Sequence, residues 1–256
     1  MFCISKIISI VVASLIAATA IADAAEIKML ASPAVKAALD QLVPQFEKSS
    51  GHTVTIEYGT ATGLRTAIEK DAVFDIATLN NNVIEALIKQ GKLAAATRTD
   101  LARSGTGVAV RKGAPKPNIA TVESFKAALL GAGWIAFVEQ GATGIYLKGL
   151  FERLGITDAL KPKIRPIPGT TSAAQVVAQG GAEIGITQVS EILPYPEAEL
   201  VGLLPPEIRL YTGFAAAISP AARQPDAAKG LIAFMTASAA AAVWRDKGLE
   251  PAAPAR

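Results

Sequence analysis

Two hydrophobic periods take turns along this chain. Short apolar or alternating runs are followed, after a small polar turn, by segments whose apolar residues recur every three or four positions, the pattern of a strand leading into an amphipathic helix. Residues 26–31 read as a strand, Ser32-Pro33 as a helix start with proline at the first helical position, and 34–48 as an amphipathic helix closed near Gly51. Pro44 inside that helix predicts a kink or a break. Residues 53–58 alternate with period two, 59–63 turn, and 64–70 continue as helix. A third strand at 74–78 leads through Asn80-Asn81-Asn82 into a helix over 83–90.

A second set follows. It opens with a strand at 105–111, stopped by the Gly113-Ala114-Pro115-Lys116-Pro117 breaker. Then come a helix at 122–130, a strand at 134–138, a loop at 139–143, a helix at 145–154, a strand at 164–167, a helix at 173–179 and a strand at 184–187 ending at Gln188. After a proline-rich stretch, 194–206, a long strand is expected at 208–218 and two closing helices at 226–236 and 239–247. Strand and helix alternating in this way predict an α/β protein of two lobes, each a mainly parallel sheet flanked by helices. The expected division is a first lobe over 25–108, a second over 109–206, and a return crossing with C-terminal helices of the first lobe over 207–256. In such sheets ligands bind beyond the carboxyl ends of the strands, which places Ser32, Thr60 and Asn80 at the cleft between the lobes.

Hydroxyl residues recur where helices start: Ser32-Pro33, Thr60-Ala61-Thr62-Gly63, Thr143-Gly144 and Thr170-Thr171-Ser172. Each can be a cap and nothing more. As a set converging on one cleft, their free backbone N–H groups and helix dipoles make a site for a small anion. Gln188, after a late strand, adds an amide with both a donor and an acceptor. Arg65, one turn into its helix, is a candidate bidentate contact to a carboxylate or sulfate, against the plainer reading of a solvated helix residue. Glu139 is a second charged candidate, and Asp75 reads as a partner of a helix end.

The first residues and the cysteine count bear on compartment. Lys6 precedes an uncharged, mostly apolar run, 7–22, ending in two small-x-small sites, 20–22 and 22–24; this predicts a signal peptide over 1–24, cleaved near Ala22 to Ala24, and a periplasmic mature chain. The single cysteine, Cys3, lies within that signal, so the mature chain carries no thiol for a disulfide, a nucleophile or a zinc site. The single histidine, His52, sits in a Gly-His-Thr turn and reads as a solvated loop residue. Twenty-five basic against 22 acidic residues, scattered without a basic stripe, argue against nucleic acid as a partner. Removing the signal leaves roughly 230 residues, enough for two modest cores.

The runs KMLASP at 28–33, FEKSSG at 46–51, YGTATGL at 58–64, FDIA at 74–77, GIYLK at 144–148, LGI at 154–156, ALKP at 159–162, GAEIGI at 181–186 and QPDAAK at 224–229 occur in this order along the chain. Together they resemble the periplasmic molybdate-binding component of bacterial ABC importers, over nearly the whole mature chain. The resemblance implies a two-lobe type II periplasmic-binding fold and a dehydrated oxyanion of the molybdate or tungstate type held by neutral hydroxyl and N–H donors. By position these are Ser32, the turn Thr60-Ala61-Thr62, the segment near Thr170 to Ala173 with Thr171 and Ser172, and the residue after the strand, Gln188. It also implies an inner-membrane permease as partner, a monomer and no cofactor. Two positions depart from the family pattern: Thr60-Ala61 stands where a serine pair is common, and Gln188 stands in place of a tyrosine donor. A small organic acid is therefore a second ligand class. Catalytic patterns are missing: there is no Ser-His-Asp or Cys-His set, no Walker loop and no His-x-x-Glu metal pair, and Glu197 and Glu199 read as a solvated turn in a proline-rich loop. A solute-binding protein without enzymatic activity is the expectation.

Overall fold

The computed structural model describes residues 24–165, 167 and 171–252; the signal-peptide reading with Cys3, and Thr170, lie outside the described residues. The elements, in chain order, begin with β1 (Glu26–Ala31), a short 3-10 turn (Pro33–Val35), α1 (Lys36–Ser50), β2 (Thr53–Tyr58), α2 (Ala61–Glu69), β3 (Ile76–Asn80) and α3 (Asn81–Lys89). They continue with β4 (Thr99–Arg111), α4 (Val122–Gly131), β5 (Ile135–Ala136), α5 (Ala142–Arg153), α6 (Thr157–Leu160), β6 (Ile164–Arg165), α7 (Ala173–Ala178), β7 (Ile184–Gln188) and α8 (Val189–Ile192). The chain closes with β8 (Ala198–Leu203), β9 (Tyr211–Ile218), α9 (Pro225–Thr236), α10 (Ala240–Asp246) and β10 (Glu250–Pro251).

The strands pair in the order β2-β1-β3-β9-β4-β7-β5-β6, with β8 and β10 also on β4. Two parallel blocks, β2-β1-β3 and β7-β5-β6, are joined by antiparallel pairings of β9 and β4. β4 is the shared strand: residues 99–105 pair with β9, and 106–111 pair with β7 and β8. Sheets covered on both faces read as continuous apolar runs, and β3 and β7 are buried at every position.

Each block has its own core. On one face of the first, Leu39, Leu42, Val43 and Phe46 of α1 meet Leu231 and Met235 of α9 and Trp244 of α10; on the other face, Leu64 and Ile68 of α2 meet Ile84 and Leu87 of α3. The second block packs Phe125 and Leu129 of α4 against Leu147, Leu150 and Phe151 of α5.

Several sequence expectations change here. α1 is not broken at Pro44: Leu39, Leu42 and Val43 before the proline and Phe46 after it enter the same core. Each block keeps its parallel strands, and the connecting strands β4 and β9 add antiparallel pairings between them. The proline-rich stretch contains strand β8, which the flanking prolines concealed; Glu199 on it is no loose turn residue but pairs with Lys116 at 2.7 Å. His52 is half-buried, its Nδ1 accepting the Ala25 N–H at 3.1 Å, rather than a solvated loop residue. Asp75 does serve a helix end: its carboxylate accepts the N–H groups of Arg223 and Gln224, just before α9. Among the described residues no single helix is long and apolar enough to cross a membrane.

Candidate functional site

Ser32, Thr60 and Asn80 end β1, β2 with its turn, and β3, and each is the N-cap of the helical segment that follows. The Ser32 hydroxyl accepts the Ala34 N–H at 3.3 Å, and the Thr60 hydroxyl accepts the Gly63 N–H at 3.1 Å. Asn80 makes no such cap; its Nδ2 donates to Asn82 Oδ1. On the second block, Gly141 opens α5, Ser172 opens α7 and Gln188 opens α8. The Ser172 hydroxyl accepts the Ala174 N–H at 3.1 Å and reaches the Glu191 carbonyl at 3.2 Å, fixing α7 against α8.

These starts surround one cavity of about 230 Å³, to which Ser32, Thr60, Ala61, Asn80, Thr143, Thr171, Ser172 and Gln188 all contribute. Its walls come from both blocks, and α8 packs against the Pro33–Val35 turn beside it. A water's share of liquid volume is about 30 Å³, so the space exceeds what a single tetrahedral oxyanion fills.

The polar lining is incompletely paired. Among the described residues six buried side-chain polar atoms lack a partner, and three of them, Thr143 Oγ1, Gln188 Oε1 and Ser190 Oγ, belong to residues lining this cavity. Thr143, Gln188 and Ser190 are each buried, and an unpaired buried polar atom costs about 1–3 kcal/mol. Three unpaired groups around one space mark it as built for a polar occupant.

Glu191 is the residue the sequence reading missed. It sits in the first turn of α8, borders the cavity, and its Oε2 accepts the Thr187 hydroxyl at 2.6 Å. Burial pushes its carboxyl above the ordinary carboxylate range, against the opposing hydrogen bonds from Thr187 and the Gln188 backbone. When protonated, this carboxyl brings an O–H donor to the wall. The legible signal was positional: a carboxylate one turn past a buried strand end. Tyr195, also lining, has its phenol raised by burial first and then by the Glu191 charge.

At the mouth, Lys36 binds both carboxylate oxygens of Asp40, at 2.9 and 2.8 Å, and lies 4.8 Å from the centre of the Tyr58 ring. Burial, with Asp40 as neighbour, raises the Tyr58 phenol. Lys36 is the cation of the cavity lining, half-exposed and already paired.

Two of the ten candidates are placed elsewhere. Thr62 and Arg65 face a separate, wider groove bordered by Tyr146 and Tyr211; the Thr62 hydroxyl donates to the Gln140 carbonyl at 3.2 Å, and Arg65 pairs with Glu69 at 2.8 Å, one helical turn on. Ala61 borders both spaces; Arg65, one turn further along its face of α2, lies past the cavity and borders the groove alone. Glu139 pairs with Lys148 at 2.7 Å and does not border the cavity. Arg65→Ala is therefore expected to change ligand affinity less than twofold and stability by less than about 0.5 kcal/mol, as titration and thermal unfolding of the variant would measure. A tenfold loss of affinity would return Arg65 to the site.

Comparison with known proteins agrees with this architecture. The family model described as bacterial extracellular solute-binding protein matches residues 27–250. The chain is 30% identical to an aconitate isomerase of Pseudomonas sp over 229 residues, 87% of each chain. It is 25% identical to the molybdate-binding protein ModA of Escherichia coli, covering 74% of this chain and 76% of that one. The solved periplasmic molybdate-binding protein of Azotobacter vinelandii superposes with a TM-score of 0.73 at 21% identity, covering 90% of this chain and all of the other.

Proposed function

We propose that this chain, which belongs to the bacterial extracellular solute-binding proteins, binds a small organic anion with more than one carboxylate in the cavity between its lobes. The observation that carries this reading is the mixed character of the lining: helix-start donors from both blocks stand beside the unpaired Gln188 carbonyl oxygen and the Glu191 carboxyl. A bare dianion such as molybdate accepts hydrogen bonds only, so the unpaired Gln188 carbonyl oxygen is a poor match for it. A polycarboxylate satisfies both kinds of group: one carboxylate on the helix-start donors, a protonated carboxyl or a hydroxyl on Gln188, and another carboxylate oxygen accepting from the Glu191 acid. The cavity volume suits such a molecule better than a single tetrahedral ion.

In this reading the mature protein works in the periplasm as a monomer. Ligand contacts from both lobes favour the closed state by population shift, and the closed form presents its cargo to a membrane permease. A panel of molybdate, tungstate, sulfate, phosphate, succinate, citrate and the two aconitate isomers, followed by thermal unfolding, tests it. A polycarboxylate present at a hundred times its dissociation constant is expected to add about 2.7 kcal/mol, a rise of roughly 5–11 °C for a chain of this size. Stabilisation by molybdate and tungstate alone would overturn the polycarboxylate reading in favour of the oxyanion. A second reading, isomerisation of an unsaturated tricarboxylate in the same cavity, is favoured by the identity to the Pseudomonas aconitate isomerase together with a carboxyl in the wall whose hold on its proton burial strengthens.

A further inference from the structure

We propose that Glu191 is a catalytic proton carrier, moving one proton along an allylic three-carbon unit of an unsaturated polycarboxylate held in the cavity, with Thr187 fixing its carboxyl. The inference rests on the polycarboxylate reading above and assigns that site its chemistry.

Geometry comes first. Among the described residues Glu191 is the one carboxylate of the cavity lining without an ion-pair partner: Asp40, the other, is held by Lys36 at 2.8 Å and accepts from the Tyr58 hydroxyl at 3.3 Å. Thr187, near the end of β7, is buried and donates to Glu191 Oε2 at 2.6 Å, and the Gln188 backbone N–H also faces the carboxyl, on a residue that borders the cavity. β7 and α8 are joined at Gln188 and the Ser172 hydroxyl binds the Glu191 backbone carbonyl at 3.2 Å, so the main chain that carries the carboxyl is fixed. Ser104 adds a further tie to α8: its hydroxyl accepts the Ser190 N–H at 3.3 Å and donates to the Gly248 carbonyl at 2.9 Å. The groups facing the Glu191 carboxyl are Thr187, the Gln188 amide and Tyr195; none is a permanent charge. A carboxylate whose proton affinity burial raises is a better base than an ordinary one, and its acid form is a competent donor.

The step balances without a co-reactant. The Glu191 carboxylate takes a proton from the methylene carbon between a carboxylate and the C=C bond; that C–H bond breaks and its electron pair delocalises over the allylic carbons and into the carboxylates. The Ser32 and Thr60 hydroxyls, whose O–H groups remain to donate, border the same space and meet that spread negative charge. The Glu191 acid then returns a proton to the far allylic carbon. A C–H bond forms there, the double bond has moved by one carbon, and Glu191 is again a carboxylate. The rotamer in which the cavity holds the methylene arm decides whether the new double bond is cis or trans, so no bond has to rotate during the step.

The test follows cis-aconitate by proton NMR with the mature wild-type chain, Glu191→Gln and Thr187→Val, with thermal unfolding of each beside it. Expected is interconversion of cis- and trans-aconitate by the wild type, a loss of at least a hundredfold in Glu191→Gln while the ligand still raises its unfolding temperature, and a smaller loss with an altered pH profile in Thr187→Val. Glu191→Gln also reports its own folding. The wild type resists ionising Glu191 and so loses stability relative to the glutamine variant as pH rises above the ordinary carboxylate range. A wild type that is stabilised by aconitate yet never interconverts it overturns this proposal and leaves the binding reading intact. A Glu191→Gln variant as fast as wild type overturns the role of Glu191. No stabilisation by any polycarboxylate overturns the binding reading and this inference with it.

Discussion

Replacing Gly144 by alanine is expected to cost about 3 kcal/mol or more and to weaken ligand binding at least tenfold. A Cβ at this position would sit 2.1 Å from the Val138 carbonyl oxygen, 2.6 Å from Glu139 Cα and 2.8 Å from the Glu139 carbonyl carbon. All three are backbone atoms, so no side-chain rotation relieves the contact. Either the first turn of α5 or the 138–139 segment has to shift, and that turn carries Thr143, whose unpaired hydroxyl belongs to the cavity wall. At about 2–4 °C per kcal/mol for a chain of this size, the unfolding temperature should fall by roughly 6–12 °C. Gly131→Ala is the control: α4 ends there with nothing within 4 Å of the added methyl, and its unfolding should be unchanged or slightly raised. If Gly144→Ala melted within about 2 °C of the wild type, the close backbone approach at the start of α5 would not be a requirement of the fold.

The same residue shows what a sequence can and cannot convey. Thr143-Gly144 was legible as a helix start because small polar residues at strand–helix junctions leave a local signature. The eight candidates that share the cavity were found on that signal, since the ends of β1, β3 and β7 must lie at one edge of their sheets once the strands run parallel within each block. Thr62 and Arg65 border the neighbouring groove instead, because a helix start fixes where a helix begins and not which of two adjoining spaces each of its residues faces. β8 was hidden by its prolines; an edge strand with half-buried positions lacks the apolar run of a central one. Glu191 was missed for a different reason. One carboxylate in a short helix looks like a solvated residue, and only the burial around it, with Thr187 at 2.6 Å, separates it from the rest. The mixed lining then moves the weight from an oxyanion to an organic acid, with Glu191 and Gln188 as its basis in place of Arg65.

Asp75→Ala should be as damaging to the fold as Gly144→Ala while leaving the site alone. Asp75 is buried, and its carboxylate accepts three backbone N–H groups: Lys28 at 2.8 Å, Arg223 at 2.7 Å and Gln224 at 3.0 Å. Its own main chain adds two bonds, donating to the Lys28 carbonyl at 2.8 Å and accepting from Ser219 at 2.9 Å. One side chain therefore ties β1, the approach to β3 and the entry of α9, segments far apart in the sequence. Alanine leaves three N–H groups with no partner in a place that water does not easily reach. With charge-assisted bonds worth about 1.5–3 kcal/mol each and no full additivity, the expected loss is roughly 4 kcal/mol, read as a lower urea midpoint at an unchanged slope. Asp75→Asn should fall between, since an amide keeps one acceptor and turns an NH₂ toward a donor. Below the unfolding range, affinity for the ligand should stay within twofold of wild type, because Asp75 does not border the cavity. A tenfold loss of affinity at a temperature where Asp75→Ala is fully folded would mean that the α9 entry and the cavity are one cooperative unit. Unchanged affinity would separate the residue that closes the fold from those, Glu191 among them, that give the cavity its chemistry.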